Sequence, residues 1–185
     1  MELYDILESS LSQIALSRQG AVTYLVPNIP RKILNKAWRT FCPQEGRESI
    51  IALIDTSFFK NGKEGFVFTK DAIYIKELMH RVNCFPYKDI TAVIYLRALS
   101  TYSGKSSVSM EIDSKTRDFE ISDQLIKHLN SSALNEMLQK IISLYQPSER
   151  KEIQEELLDS KNQIAHPEKF KPHKFKDSDP QIYSK

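Results

Sequence analysis

Asp113-Ser114-Lys115 sets a carboxylate two residues before an ammonium group. That is the spacing of a metal-dependent nuclease site, in which the carboxylate holds Mg²⁺ and the lysine stabilises developing charge. The same spacing recurs at Glu149-Arg150-Lys151 and Asp159-Ser160-Lys161, in segments expected to be exposed. Asp113 also falls at an expected hairpin tip, where Asp, Ser and Lys are ordinary turn residues. In so charged a chain the pattern reads as chance. Cys84, with His80 shortly before it, would be a nucleophile only if a base and an electropositive, accessible setting activated the thiol. A buried strand cysteine is the simpler expectation. Asp55 and Asp89 read as structural carboxylates that close turns.

His80, His128, His166 and His173 lie in separate segments without metal-ligand spacing. Cys42 and Cys84 are too few and too far apart for a disulfide framework or a zinc site. The chain has no Gly-rich phosphate loop, no Gly-x-Ser-x-Gly elbow and no HExxH. The expectation is therefore a non-catalytic protein without cofactor or metal. Lys32, Lys36 and Arg39 recur at helical spacing and form the best local candidate for holding an anion, although a solvated helix face looks the same.

Composition narrows the class further. The 185 residues are 41% hydrophobic and 27% charged, with a formal net charge of +2. These are the proportions of a globular protein, and so small a charge disfavours nucleic acid as the partner. An anion site would have to come from local clustering. No apolar run approaches the ~20 residues of a membrane helix. Glu2, Asp5 and Glu8 at the start are unlike a secretion signal, so a cytoplasmic location is expected, with membrane association left open.

Hydrophobic periodicity supplies the elements that would carry these residues. Tyr4, Leu7, Leu11 and Ile14 line one stripe of a helix over 3–16. The stripe would pack on the protein's own core or offer a surface to a partner or a second copy. Residues 21–26 are β-prone. A second helix over 31–41 carries Leu34, Trp38 and Phe41 on its apolar face. After Gly46 the periodicity becomes strand-like: 50–54, 66–69, 72–76, 82–85, 91–96, 108–113 and 119–121 make seven short strands. Val108, Met110 and Ile112 face opposite to Ser109, Glu111 and Asp113, the alternation of a half-buried antiparallel hairpin. A helix over 131–146 follows, capped by Asn130 or Ser131 and stopped by Pro147. The expected fold is α+β and mainly β: a seven-stranded antiparallel sandwich or partly open barrel over 46–146 with its capping helix. It would be preceded by a helical extension over 1–45 and followed by a charged helix and disordered tail over 147–185.

Seven strands and one C-terminal helix resemble a pleckstrin-homology-like domain. The stretch 65–76, GFVFTKDAIYIK, followed by 85–90, FPYKDI, resembles the GRAM-like and bacterial members of that superfamily, which often have a GxxxTxxxIYxK hairpin and a YxxI step. Residues 27–32, PNIPRK, and 51–55, IALID, look like their lead-in. The resemblance implies a non-catalytic module that binds lipid headgroups, peptides or protein domains. Its headgroup-binding members use a basic motif in the first hairpin. Lys60, Lys63 and Lys70 supply charge near that location, but Ala72 stands where the motif has arginine, and the sole tryptophan is Trp38 rather than one in the last helix. The expectation is a bacterial-type scaffold that binds a protein or peptide through a sheet edge or through the Tyr4/Leu7/Leu11/Ile14 stripe. Weak anionic-membrane contact through Lys32, Lys36 and Arg39, or through Lys60, Lys63 and Lys70, is the alternative. Homo-oligomerisation would use the N-terminal helix.

Overall fold

Among the described residues, two antiparallel sheets are built from strands of different character, and the difference explains where each one lies. The structure, a computed structural model, describes residues 2–16, 20–99 and 106–146. The expected charged helix and tail over 147–185 lie outside the described residues. The order is α1 (Leu3–Ile14), β1 (Val22–Leu25), α2 (Arg31–Phe41), β2 (Ile50–Asp55), β3 (Gly65–Thr69), β4 (Ala72–Lys76), β5 (Asn83–Pro86), β6 (Ile90–Leu99), β7 (Ser106–Ser114), β8 (Asp118–Ile121), α3 (Asp123–Ile126) and α4 (Ser131–Tyr145). One sheet runs β1-β2-β3-β4-β5 and the other β6-β7-β8. Among the described residues no helix is long and apolar enough to cross a membrane.

The larger sheet is covered on both faces, which is why its strands read as continuous apolar runs rather than as alternation. Along β3, Phe66 and Phe68 enter the main core while Val67 points to a second cluster beneath α2, with Leu53, Tyr74 and Phe41. In β2 the register shifts between Ile50 and Ala52. Ile51 and Ala52 consequently face the main core together, while Ile50 and Leu53 serve the cluster under α2, as an extra bulge residue requires. The smaller sheet shows the alternation expected of a half-buried hairpin. Met110 pairs with Ile121 and Ile112 with Phe119, and Met110, Ile112 and Ile121 are buried.

Eight strands are described instead of the expected seven. The added strand is β1, which pairs with β2 from Val22↔Asp55 to Leu25↔Ala52. An expected boundary at residue 45 therefore does not coincide with a break in packing, and the compact unit runs Met1–Pro147. α1 likewise belongs to the core. Leu7 and Ile14 are fully buried and Leu11 nearly so, in one cluster with Leu134, Leu138 and Ile141 of α4. Tyr4 is half-buried and its hydroxyl donates to the Val26 carbonyl at 3.3 Å. The stripe Tyr4/Leu7/Leu11/Ile14 is thus not an exposed partner or dimer face. Two heptads are too short to stand alone as a helix, and here the apolar face is covered by the chain itself.

α4 starts as its sequence indicates: Asn130 is the N-cap and its Oδ1 accepts the Ala133 N–H at 3.2 Å. Its polar side chains reach the outer edge of β6. Gln139 Nε2 donates to the Val93 carbonyl at 2.7 Å and Gln146 Nε2 to the Ile90 carbonyl at 2.5 Å. The helix thereby closes the first half of a sheet edge that would otherwise accept another strand.

Candidate functional site

The loops 56–64 and 77–82 leave the larger sheet side by side, because Gly65 pairs with Lys76 at the ends of β3 and β4. The first loop is ordered by a carboxylate. Asp55 is fully buried; its Oδ1 accepts the Ser57 N–H at 3.0 Å and the Ser57 hydroxyl at 2.6 Å, and its Oδ2 accepts the Gly62 N–H at 2.9 Å. Ser57 Oγ in turn accepts the Asn61 N–H at 2.9 Å. Gly62 has φ +71°, and a Cβ there would meet Ile33 at 3.0 Å, so both conformation and space call for glycine. Asp55 is thus the turn-closing carboxylate that its position at a strand end suggests.

This framework presents apolar side chains to solvent. Phe58 is 87% and Phe59 80% exposed, stacked edge to face with ring centroids 5.0 Å apart. On the neighbouring loop Leu78 is 65% and Met79 95% exposed, and Met79 sits in the left-handed region at φ +62°. Core formation buries such residues in preference to any others. Four such side chains stand exposed on two neighbouring loops, and Phe58 and Leu78 line one cleft. Between the loops and α3 lies an open cleft of about 560 Å³. Phe58 and Lys60 line one side, Leu78 and His80 another, and Lys127 and His128 a third. Glu77 Oε1 accepts the Ser122 N–H at 3.0 Å, tying the second loop to the start of α3.

The expected basic groups are distributed differently. Lys60 and Lys63 belong to this loop, but the Lys60 ammonium donates to the carbonyls of Ser57 at 2.8 Å and Gly20 at 3.1 Å, so it is partly spent on holding the loop. Lys63 is exposed. Lys70 lies in the β3–β4 turn, at the opposite end of β3. At about 3.3 Å per residue the strand separates it from the loop by more than 10 Å, so Lys60, Lys63 and Lys70 do not converge on one anion. Lys32, Lys36 and Arg39 do share a face of α2, with Lys32 and Arg39 exposed and Lys36 half-buried. A second open hollow, of about 520 Å³, runs between Tyr4, Leu34 and Ile51 and has Arg47 and Lys70 at its rim.

Cys84 is exposed in β5, where a buried cysteine is expected. Partial desolvation raises its pKa, with the neighbouring Tyr74 side chain opposing that shift; this is the reverse of an activated thiolate. Cys42 is buried and its thiol is pushed up to about 12, first by burial and then by the charges of Glu45 and Cys84. The Tyr74 hydroxyl donates to Glu45 Oε1 and accepts from Gln44 Nε2 at 3.2 Å. Burial and that bond to Glu45 raise its pKa. Asp113 faces Asp118 across the β7–β8 pair, and together with Glu111 their carboxylate oxygens lie within 4.8 Å of one another. Strand register assembles that group rather than the Asp113-x-Lys115 spacing, and the Lys115 N–H extends the β6–β7 pairing by donating to the Asp89 carbonyl at 2.9 Å.

Periodicity passes over Phe58, Phe59, Leu78 and Met79. Their signal in the sequence is negative: apolar residues beside Lys60, Asn61 and Gly62 or beside His80 and Arg81, in stretches that fit neither helix nor strand. No family model, curated protein or solved structure matches the chain.

Proposed function

We propose that this protein is a non-catalytic, pleckstrin-homology-like binding module whose loop end rests on an anionic membrane surface. The pleckstrin-homology-like assignment is supported by the order of β2–β5, then β6–β8, then α4. The observation that carries the function is the exposure of Phe58, Phe59, Leu78 and Met79 on two adjoining loops, with Lys63, His80 and Lys127 close by. Full burial of one such side chain is worth about 1.5–3 kcal/mol, against about 1 kcal/mol for a cation near an anionic bilayer. Apolar insertion is therefore the larger contribution, and charge orients the module.

A protein or peptide partner is the second reading. The cleft between the loops favours it, being wide enough to take a partner's side chain. Strand addition at β6 is less favoured, since Gln139 and Gln146 already occupy carbonyls on that edge.

Co-sedimentation with phosphatidylcholine vesicles that contain phosphatidylserine tests the membrane reading. The double variant Phe58→Ser/Phe59→Ser is expected to lose more than about tenfold in binding, the equivalent of one partly inserted ring. Its melting temperature should match the wild type, because both rings are solvated in the folded protein. Wild-type binding by the double variant would sink the proposal.

A further inference from the structure

The outer face of the smaller sheet sets like charges directly against one another. Glu111 pairs with Glu120 and Asp113 with Asp118 across β7 and β8, on the side opposite to buried Met110, Ile112 and Ile121. Such cross-strand pairs repel. None of the four carboxylates makes a hydrogen bond or ion pair among the described residues, and Asp118 and Glu120 are exposed. β6 adds Ile94 opposite Glu111 and Leu96 opposite Ser109 on the same face, 37% and 61% exposed. The basic stripe of α2 stands in the same condition. That helix contains no acidic residue, and Lys32, Lys36 and Arg39 are unpaired among the described residues. The layers of the fold keep the two surfaces apart. α2 covers the outer face of the larger sheet over Leu53, Val67 and Tyr74, whereas the inner faces of both sheets meet in one cluster through Phe66, Phe68, Met110 and Ile112. One molecule therefore carries cations on one flank and carboxylates on the other, and cannot bring them together.

We infer that copies of this chain associate front to back, the Lys32/Lys36/Arg39 face of α2 in one copy resting on the Glu111/Asp113/Asp118/Glu120 face of the next. Charge complementarity between two surfaces of the same chain selects the occupant, and the dimensions agree. Three strands about 4.8 Å apart make a floor about 10 Å wide, the width of a helix. Lys32 to Arg39 covers about 10 Å along the helix axis, and Glu111 to Asp113 about 7 Å along the strand, a difference that long Lys and Arg side chains absorb. Each cation brought between facing carboxylates also relieves their repulsion. Ile94 and Leu96 add apolar area at the margin of the contact. Because the two patches differ, the contact is heterologous: every added copy leaves a basic face free at one end and an acidic face at the other, so the assembly grows as an open chain or closes into a ring. Exposed charge pairs are individually weak and screened by salt. The association therefore belongs to low salt and high protein concentration.

Sedimentation equilibrium of the full chain at up to about 1 mM, where weak contacts are populated, tests the contact. The weight-average mass of the wild type is expected to rise above the monomer with concentration at low salt and to fall back towards it at about 0.5 M salt. K32Q/K36Q/R39Q and E111Q/D118N/E120Q should each associate about tenfold more weakly. The second should melt no lower than the wild type, because it removes facing like charges. Mixed in equal amounts, the two variants should form a one-to-one dimer and stop there, since only the acidic face of the first and the basic face of the second remain competent. Phe58→Ser/Phe59→Ser should associate like the wild type. A wild type that stays monomeric at low salt overturns the inference, whether or not its acidic face retains polylysine. So does a mixture that associates no better than either variant alone, or an association that the two Phe→Ser changes abolish.

Discussion

Oδ2 of Asp55 accepts the backbone N–H of Gly62 at 2.9 Å, closing a loop that begins immediately after the Asp55 strand. With Ser57 providing two donors to Oδ1, one buried carboxylate organises the backbone that carries Phe58 and Phe59. Asp55→Ala leaves those donors without their acceptor and is expected to cost about 2–4 kcal/mol. Urea denaturation measures the loss, and a midpoint within error of the wild type would contradict this account of the loop.

Gly65 tests the strand end beneath the same loops. It has φ +120°, and a Cβ there would lie 1.9 Å from the Ile54 carbonyl oxygen. Gly65→Ala must displace backbone in the centre of the larger sheet, so a loss of more than about 3 kcal/mol is expected. At Gly46 the added Cβ meets only the end of the exposed Glu48 side chain. Gly46→Ala should therefore change stability by less than about 0.5 kcal/mol, and comparable losses in the two variants would refute the distinction.

Leu7 decides whether the N-terminal helix is core or appendage. Its side chain is fully buried in the cluster shared with α4. Leu7→Ala should destabilise the whole unit by about 2–5 kcal/mol, seen as one cooperative transition. A variant of unchanged stability that lost a binding partner would instead restore α1 as a recognition surface.

Alkaline pH should unfold the protein through its buried thiol and phenols. The folded state holds the Cys42 proton up to about 12 against an ordinary value of 9.0, and burial also holds Tyr74 and Tyr87 above the usual 10.0. The unfolded chain releases these protons first. The stabilisation is complete below about pH 9 and is lost progressively as pH rises through 12. Urea midpoints should fall steadily over that window, and Cys42→Ala should flatten its lower part; a midpoint independent of pH up to 11 would contradict the assignment.

Much of the fold is legible because its patterns are local. The Met110/Ile112 alternation, the tight Lys70-Asp71 turn and the Asn130 cap each involve residues within a few positions of one another, and all three stand where their spacing predicts. β1 shows the limit. Its four half-buried residues carry a weak signal, and only pairing with β2, some thirty residues later, makes them a strand. Tyr4/Leu7/Leu11/Ile14 shows the limit in another form, since an apolar stripe has the same spacing whether it meets a partner or its own α4.

The sequence by itself determined the α+β class and most of the element boundaries, because periodicity, caps and turn residues act over one or two turns of chain. Only the tertiary structure decided which apolar residues remained outside. Phe58 and Phe66 are chemically identical, yet one is 87% exposed and the other fully buried. The buried Asp55 carboxylate directs its bonds into the loop and leaves Phe58 on the outside, whereas the pleat of β3 turns Phe66 toward α1 and α4. Convergence of groups distant in sequence also set the candidate site. β3 carried Lys70 away from Lys60 and Lys63, and the Gly65–Lys76 pairing set the two loops side by side, so that Phe58 and Leu78 line one cleft. Burial is decided by packing over the whole core, so the local signal of these four side chains, apolar residues outside any periodic stretch, does not by itself tell whether they end exposed.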